Sequence, residues 1–275
     1  MSNLTLRIIT ALIGATLIIF AILWNEYTYC SLLFFLGSVL HYEYLLTTKN
    51  IEGYNYSKEN LLYNLITGMV IQLLFIIDIF QPSEYLLYFI IPIIALLFIF
   101  ELFRHTQNPF INIGVNITGL FYIILPICLL YFFTLSDPVA TLVILLFVWT
   151  CDTMAYFTGK AFGKHKLFER ISPKKTWEGF FGGLVFSIVA AFVINRFYSN
   201  IDLTNLIIIG IMIAIIGTLG DLVESMLKRS IHIKDSSSIL PGHGGFLDRF
   251  DAFLICVPFV FVYILFMLET EFVFG

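Results

Sequence analysis

Apolar residues run through this chain in blocks of about twenty, the length an α-helix needs to cross the hydrocarbon core of a bilayer. Nine such blocks are visible, at 6–24, 28–46, 61–80, 85–103, 112–133, 138–158, 178–198, 203–228 and 251–272. Polar or turn-forming residues divide them: Asn25-Glu26, the polar segment 47–60, Gln81-Pro82-Ser83, Gln107-Asn108-Pro109 and Ser136-Asp137-Pro138. The pattern predicts an all-α, polytopic integral membrane protein with about nine transmembrane helices. Polar residues inside a block are where a helix would break and change that count. The first block follows Arg7 and runs on into Asn25-Glu26-Tyr27, with no small-x-small cleavage site. It reads as a retained span and not as a removed signal peptide.

The basic residues test this layout, because Lys and Arg collect in the cytoplasmic loops of membrane proteins. With nine spans and an inside N-terminus, the inner connections are 47–60, 104–111, 159–177 and 229–250. Together with Arg7 and Lys228 they hold every Lys and Arg except Arg196. The outer connections carry Glu26, Glu84, Asp137 and Asp202, and Glu269 and Glu271 fall at the outer C-terminal end. Removing one span would separate the two most basic connections from the rest. The chain is therefore expected to divide into N-terminal helices 1–137, about five spans, and a C-terminal half 138–275 with cytoplasmic loops 159–177 and 229–250.

Composition agrees without adding much. The chain is 59% hydrophobic and 12% charged over 275 residues, against about 45–50% and about 25% for a soluble domain. A net charge of −4 says little where distribution matters more than total, and no nucleic-acid partner is expected. Cys30, Cys128, Cys151 and Cys256 have no paired spacing, so they read as small apolar helix residues and suggest neither zinc nor a disulfide framework. No internal repeat, low-complexity tract or soluble domain is evident.

Candidate chemistry concentrates at 220–251, charge that is expensive beside lipid and kept there mainly for function. Asp221, Glu224 with Ser225, and Lys228 share one helical face, while Leu222, Val223, Met226 and Leu227 are apolar. An internal Asp–Lys pair closing the end of a span explains that face equally. The following loop adds Lys234-Asp235, a serine run and Pro241-Gly242-His243-Gly244-Gly245. Glycines at a turn let backbone N–H groups approach phosphate oxygens, although a plain loop has the same composition. Asp248-Arg249-Phe250-Asp251 then opens the last span with two carboxylates at i, i+3. Asp221, Asp248 and Asp251 offer hard oxygen ligands of the kind Mg²⁺ takes, along with waters and substrate phosphates. Carboxylates, Lys228, Arg229, Lys234 and Arg249 beside a glycine loop suit phosphoryl chemistry.

A second cluster begins at Asp152, embedded in a span, where it is either functional or a hydrogen-bonded packing residue. Lys160, Lys164, Lys166 and Arg170 follow and double as orientation signals. Ser172-Pro173-Lys174-Lys175-Thr176 holds two lysines where a polyanion can dock. His41, Glu43, Glu101, Arg104 and His105 read as interfacial structural residues, and His165 and His232 as loop residues. His243 reads either as a ligand contact or as a turn residue.

The 225–251 stretch resembles the signature of the phosphatidate cytidylyltransferases, the CDP-diacylglycerol synthases. The resemblance runs through Ser225, Leu227, Lys228, Arg229, Lys234, Asp235, Pro241, His243, Gly244, Gly245, Asp248, Arg249 and Asp251. Gly220-Asp221-Leu222 and Ser172 to Thr176 also look like family elements, and length and multi-span layout agree. The resemblance implies the reaction of phosphatidate with CTP to give CDP-diacylglycerol and pyrophosphate. It implies that Asp221 and Asp248 bind Mg²⁺ at the CTP phosphates, with Asp251 and Asp152 nearby and K⁺ as an optional second cation. Lys228, Arg229, Lys234 and Arg249 would neutralise phosphates, and Ser225 would bond the metal-bound phosphate or water. Lys174 and Lys175 would engage triphosphate or lipid phosphate, and Asp235, His243, Gly244 and Gly245 would line the substrate. Membrane lipids surround such an enzyme, and a homodimer is compatible with the family. The expected place is a bacterial-type cell membrane with the site on the cytoplasmic side.

Two other classes compete. A secondary transporter also places charge beside spans, but usually near the midplane of related halves. A structural membrane protein predicts no nucleotide binding. Among enzymes, a lipid kinase is a further alternative. A CDP-alcohol phosphotransferase would need an aspartate-rich motif, with Asp-Gly followed by Ala-Arg, that the sequence lacks.

Overall fold

The computed structural model describes residues 3–237 and 244–274. The chain divides into two compact units, Met1–Val139 with Ile231–Arg249, and Ala140–Ser230 with Phe250–Gly275. The segment 231–249 groups with the N-terminal helices.

In the first unit, helix α1 covers Asn3–Trp24 and α2 covers Glu26–Thr47. A single residue, Asn25, separates them. Its side chain accepts from the Thr28 amide at 2.8 Å while the Thr28 hydroxyl accepts from the Asn25 amide at 3.2 Å. This reciprocal cap satisfies two amides that the helix end would otherwise leave bare. Helix α3 is Lys58–Phe80, capped by Ser57, and α4 is Ile90–Phe103 after a 3₁₀ turn at Leu86–Phe89. The next span starts with Pro109 in the first turn of α5, Pro109–Gly119, where its missing N–H costs nothing. It continues through a π turn at Leu120–Ile124 into α6, Leu125–Tyr131. Pro126 cannot donate to the carbonyl four residues back, and the ladder widens just before it.

A polar network ties the connections at one end of this unit. Glu101 pairs with Arg104 at 2.8 Å and accepts from the Asn112 amide group at 2.6 Å. Arg104 also donates to the Asn55 carbonyl at 2.7 Å, and the Asn55 amide donates to Asn112 at 2.9 Å. The expected structural role of Glu101 and Arg104 is the one seen. Deeper in the unit Tyr29, Leu33, Leu40, Ile123, Ile127 and Tyr131 are fully buried, whereas Leu17, Trp24, Ile91, Leu102 and Phe103 face outward. Apolar surface on that scale suits lipid and not water.

The second unit opens with α7, Val139–Phe162. Strands β1, Lys166–Phe168, and β2, Ser172–Thr176, then form an antiparallel hairpin. Helices α8, Trp177–Asn195, α9, Leu203–Ser230, and α10, Leu247–Phe274, follow. Small residues let these helices approach closely. A methyl group on Gly179 would stand 2.8 Å from the Ala155 carbonyl of α7, and one on Gly220 would stand 3.0 Å from Ile255 Cβ of α10. That second approach brings the residue after Gly220, Asp221, to the flank of α10.

Among the described residues eight helical segments are long and apolar enough to cross a membrane, and α1 adds a further apolar helix whose described apolar part is Thr10–Trp24. The chain is an all-α polytopic membrane protein, with one short hairpin as its only sheet among the described residues. The last helix begins at Leu247 instead of 251, so Asp248 and Arg249 lie in its first turn.

Candidate active site

Three carboxylates of the second unit, each from a different helix, lie within electrostatic reach of one another: Asp152 of α7, Asp221 of α9 and Asp251 of α10. Asp251 feels the charges of both Asp221 and Asp152, and that of Lys228 with opposite sign. Like charges held in a membrane-spanning unit repel strongly unless cations join them. One cation is in place. Lys175 Nζ stands 2.6 Å from Asp221 Oδ2 and donates to the Thr218 carbonyl at 3.3 Å. Lys175 reaches this position because Ser172-Pro173-Lys174-Lys175-Thr176 is strand β2, ending where the Thr176 hydroxyl caps α8 by accepting from the Gly179 amide at 3.2 Å. Lys174, next on the strand, is exposed.

The helical face anticipated on α9 is real but differently paired. Ser225 Oγ donates to Asp221 Oδ1 at 3.2 Å, one turn apart. Asp221 has Lys175 as its ion-pair partner, while Lys228 pairs with the buried Glu224 on its own helix. Arg229 is exposed at the end of α9. Asp251 accepts from the Ala252 amide at 2.8 Å.

The signature loop is built in the first unit. Asp248, in the first turn of α10, accepts from the Gly245 amide at 2.9 Å and from the Ser236 amide at 3.1 Å. The Gly245 N–H therefore serves the loop's own carboxylate. Gly244 has φ +83°, a conformation that residues with a side chain rarely adopt. A Cβ on Gly245 would collide with the Glu43 carboxylate and the Ser236 hydroxyl, so any larger residue must displace them. Lys234, Asp235 and Arg249 are exposed. His243, expected to contact substrate, and Pro241 lie outside the described residues.

Glu43 was read from sequence as interfacial, yet it is fully buried and accepts from Ser236 Oγ, from the Phe246 amide at 2.8 Å and from the Leu247 amide at 3.2 Å. Glu224 is also buried, paired with Lys228 of its own helix. The available signal was the same for both: an acidic residue inside an apolar span is a functional candidate by default.

Among the described residues no group of three or more His, Cys, Asp or Glu side chains stands close enough together to hold a metal ion by itself. The donors at Asp221 are hard oxygens, and a Mg²⁺ ion bound there would complete its shell with water and substrate phosphates. The chemistry of the donor set fits such an ion.

These features define a polytopic membrane protein with an acidic and basic cluster suited to phosphate chemistry. The chain belongs to the cytidylyltransferase family, whose model matches residues 5–267. It is similar to the phosphatidate cytidylyltransferase of Bacillus subtilis, at 34% identity over 95% of this chain and 97% of that one. The phosphatidate cytidylyltransferase of Rickettsia felis is 35% identical over 79% of this chain and 98% of its own length. That of Staphylococcus saprophyticus is 54% identical over a shorter region, 41% of this chain and 44% of the relative.

Proposed function

We propose that this chain is a CTP:phosphatidate cytidylyltransferase, joining CMP to phosphatidate to give CDP-diacylglycerol and pyrophosphate. It is a nucleotidyltransferase of phospholipid biosynthesis. The structural observation that carries this reading is the Lys175–Asp221 ion pair at 2.6 Å, within a membrane-spanning unit that also brings Asp152 and Asp251 into electrostatic reach.

A phosphate oxygen of phosphatidate attacks the α-phosphorus of CTP, and the bond from that phosphorus to the bridging oxygen of the β-phosphate breaks. The bonding pair leaves on pyrophosphate. The nucleophile is already anionic, so the protein need not supply a strong base. Its work is in-line positioning and neutralisation of charge on the α-phosphate and the leaving group. Mg²⁺, when bound, would draw negative charge from the phosphate oxygens. Asp221 would hold it, with Asp152 and Asp251 beside it, and K⁺ is proposed as a second cation there. Asp248 is proposed as a metal ligand on the strength of the signature alone. Lys175 would exchange its contact with Asp221 for a phosphate, Ser225 would orient toward the metal-bound phosphate or water, and Lys228 would contribute positive charge from the same helix. Lys174, Arg229, Lys234 and Arg249 are exposed cations that would meet the triphosphate or the lipid phosphate. Asp235, His243, Gly244 and Gly245 are assigned to substrate binding by the signature. The enzyme would work in the cell membrane, as a homodimer, with CTP arriving from the cytoplasm and the diacylglycerol chains entering from the bilayer.

The test uses purified protein in lipid–detergent micelles with phosphatidate, Mg²⁺ and CTP, dCTP, ATP, GTP or UTP in turn. Pyrophosphate release with CTP that disappears without phosphatidate or with chelator is the expected result. No release with any nucleotide from folded, lipid-replete protein would overturn the reading.

A further inference from the structure

Glu43 lies on α2, far in sequence from every residue so far assigned to substrate. Its carboxylate nevertheless reaches partners 193, 203 and 204 positions along the chain. Burying a carboxylate at the end of an apolar span is costly unless donors replace the lost water. Three donors do so: Ser236 Oγ on one carboxylate oxygen, and the Phe246 and Leu247 amides on the other. Those two amides open α10, so the negative charge also meets the positive end of the helix.

Ser236 is the knot. Its hydroxyl goes to Glu43, its amide to Asp248 at 3.1 Å, and its carbonyl accepts from Thr47 Oγ1 at 3.1 Å. Thr47 is one turn beyond Glu43 on α2 and donates to the Glu43 carbonyl at 2.8 Å as well. Both stretches flanking residues 238–243 are thereby fastened to one helix of the first unit. The glycine at 245 completes the fit, since any side chain there would displace the Glu43 carboxylate.

We propose that Glu43 is a positioning residue of the nucleotide site, holding 236 and 244–248 in the one arrangement that aims Asp248 and the neighbouring signature residues at the CTP phosphates. The assignment of that loop to CTP rests on the function proposed above. A residue that merely stabilised the protein would change the amount of active enzyme and leave both Michaelis constants alone. A positioning residue changes the constant of the substrate whose site it shapes.

The full-length protein in lipid–detergent micelles carries the test, as wild type, Glu43→Gln, Glu43→Ala and Ser236→Ala. Gln keeps an acceptor for the Phe246 and Leu247 amides, so it should rescue in part. The KM for CTP should rise about threefold in Glu43→Gln and about tenfold or more in Glu43→Ala, with the KM for phosphatidate within about twofold of wild type. Amide hydrogen exchange at 244–248 should accelerate in the same order, while exchange in α3 and α5 stays as in wild type. Should Glu43→Ala fold poorly, Glu43→Gln and Ser236→Ala carry the same two readouts. Unchanged exchange at 244–248 in all variants would overturn the proposal, as would a fall in maximal rate with an unmoved KM for CTP. If wild-type protein itself turned over no CTP, the reaction assigned above would have failed. The exchange data would then decide separately whether Glu43 holds the loop.

Discussion

Lys175 and Asp221 show what a single ion pair can carry. At 2.6 Å, with both side chains partly exposed, the pair contributes little to stability, because water screens such contacts. Its significance is that the ammonium offsets charge which Asp221 shares with Asp152 and Asp251. Asp221→Asn should keep the fold and lower CTP turnover by about 10²-fold or more, with loss of the normal Mg²⁺ dependence. Near-normal turnover and Mg²⁺ response in that variant would remove Asp221 from the site. Lys175→Met leaves the carboxylates without this cation, and turnover should fall by about tenfold or more, measured as pyrophosphate release at saturating lipid. The acidic residues on α9 and α10 were legible because charge inside an apolar block stands out. The partner of Asp221 was not, since a helical face offers Lys228 and only the fold brings in Lys175. Glu43 is hard to read from sequence for a related reason: two of its three donors are backbone amides, which every residue has, and the third, Ser236 Oγ, lies 193 positions away.

The elements themselves were legible to within a few residues wherever the driving force was burial in lipid. Blocks of about twenty apolar residues became helices, with Asn25 and Ser57 supplying caps where a helix starts. In sequence the hairpin at 166–176 looks like a basic connection. Three- and five-residue strands rich in Lys carry no alternation strong enough to be noticed, and antiparallel pairing from Lys166–Thr176 to Phe168–Ser172 is what orders them. The hairpin matters because it sets Lys175, and because Thr176 at its end starts α8 against α7. That junction is tight. In Gly179→Ala the new methyl would stand 2.8 Å from the Ala155 carbonyl, a backbone atom that cannot turn aside. The variant should lose about 1–3 kcal/mol of stability, visible as a lower midpoint in thermal unfolding of detergent-solubilised protein. Activity per folded molecule should fall as well, since α8 and β2 move together. An unchanged midpoint would mean that the α7–α8 contact relaxes freely.

Orientation belongs to the whole chain, because it follows from the sum of loop charges and not from any one contact. With Arg7 and the span-end Lys228 included, all Lys and Arg but Arg196 fall on the side where nine alternating spans put the basic connections. An odd number of spans between Arg104 and the hairpin lysines, in place of the two that separate them, would put these cations on opposite faces, against the same rule. The four native cysteines, Cys30, Cys128, Cys151 and Cys256, are all buried, so a charged maleimide that cannot cross the bilayer should find little background. Lys166→Cys on the exposed edge of the hairpin and Ser199→Cys between α8 and α9 then report the two sides. In intact cells Ser199→Cys should react and Lys166→Cys should not. In inverted membrane vesicles the order should reverse. Lys166→Cys labelled from outside intact cells would place the hairpin, and Lys175 with it, away from cytoplasmic CTP. Reaction of both positions from one side would require that α8 does not cross, and the count of spans would be wrong by one.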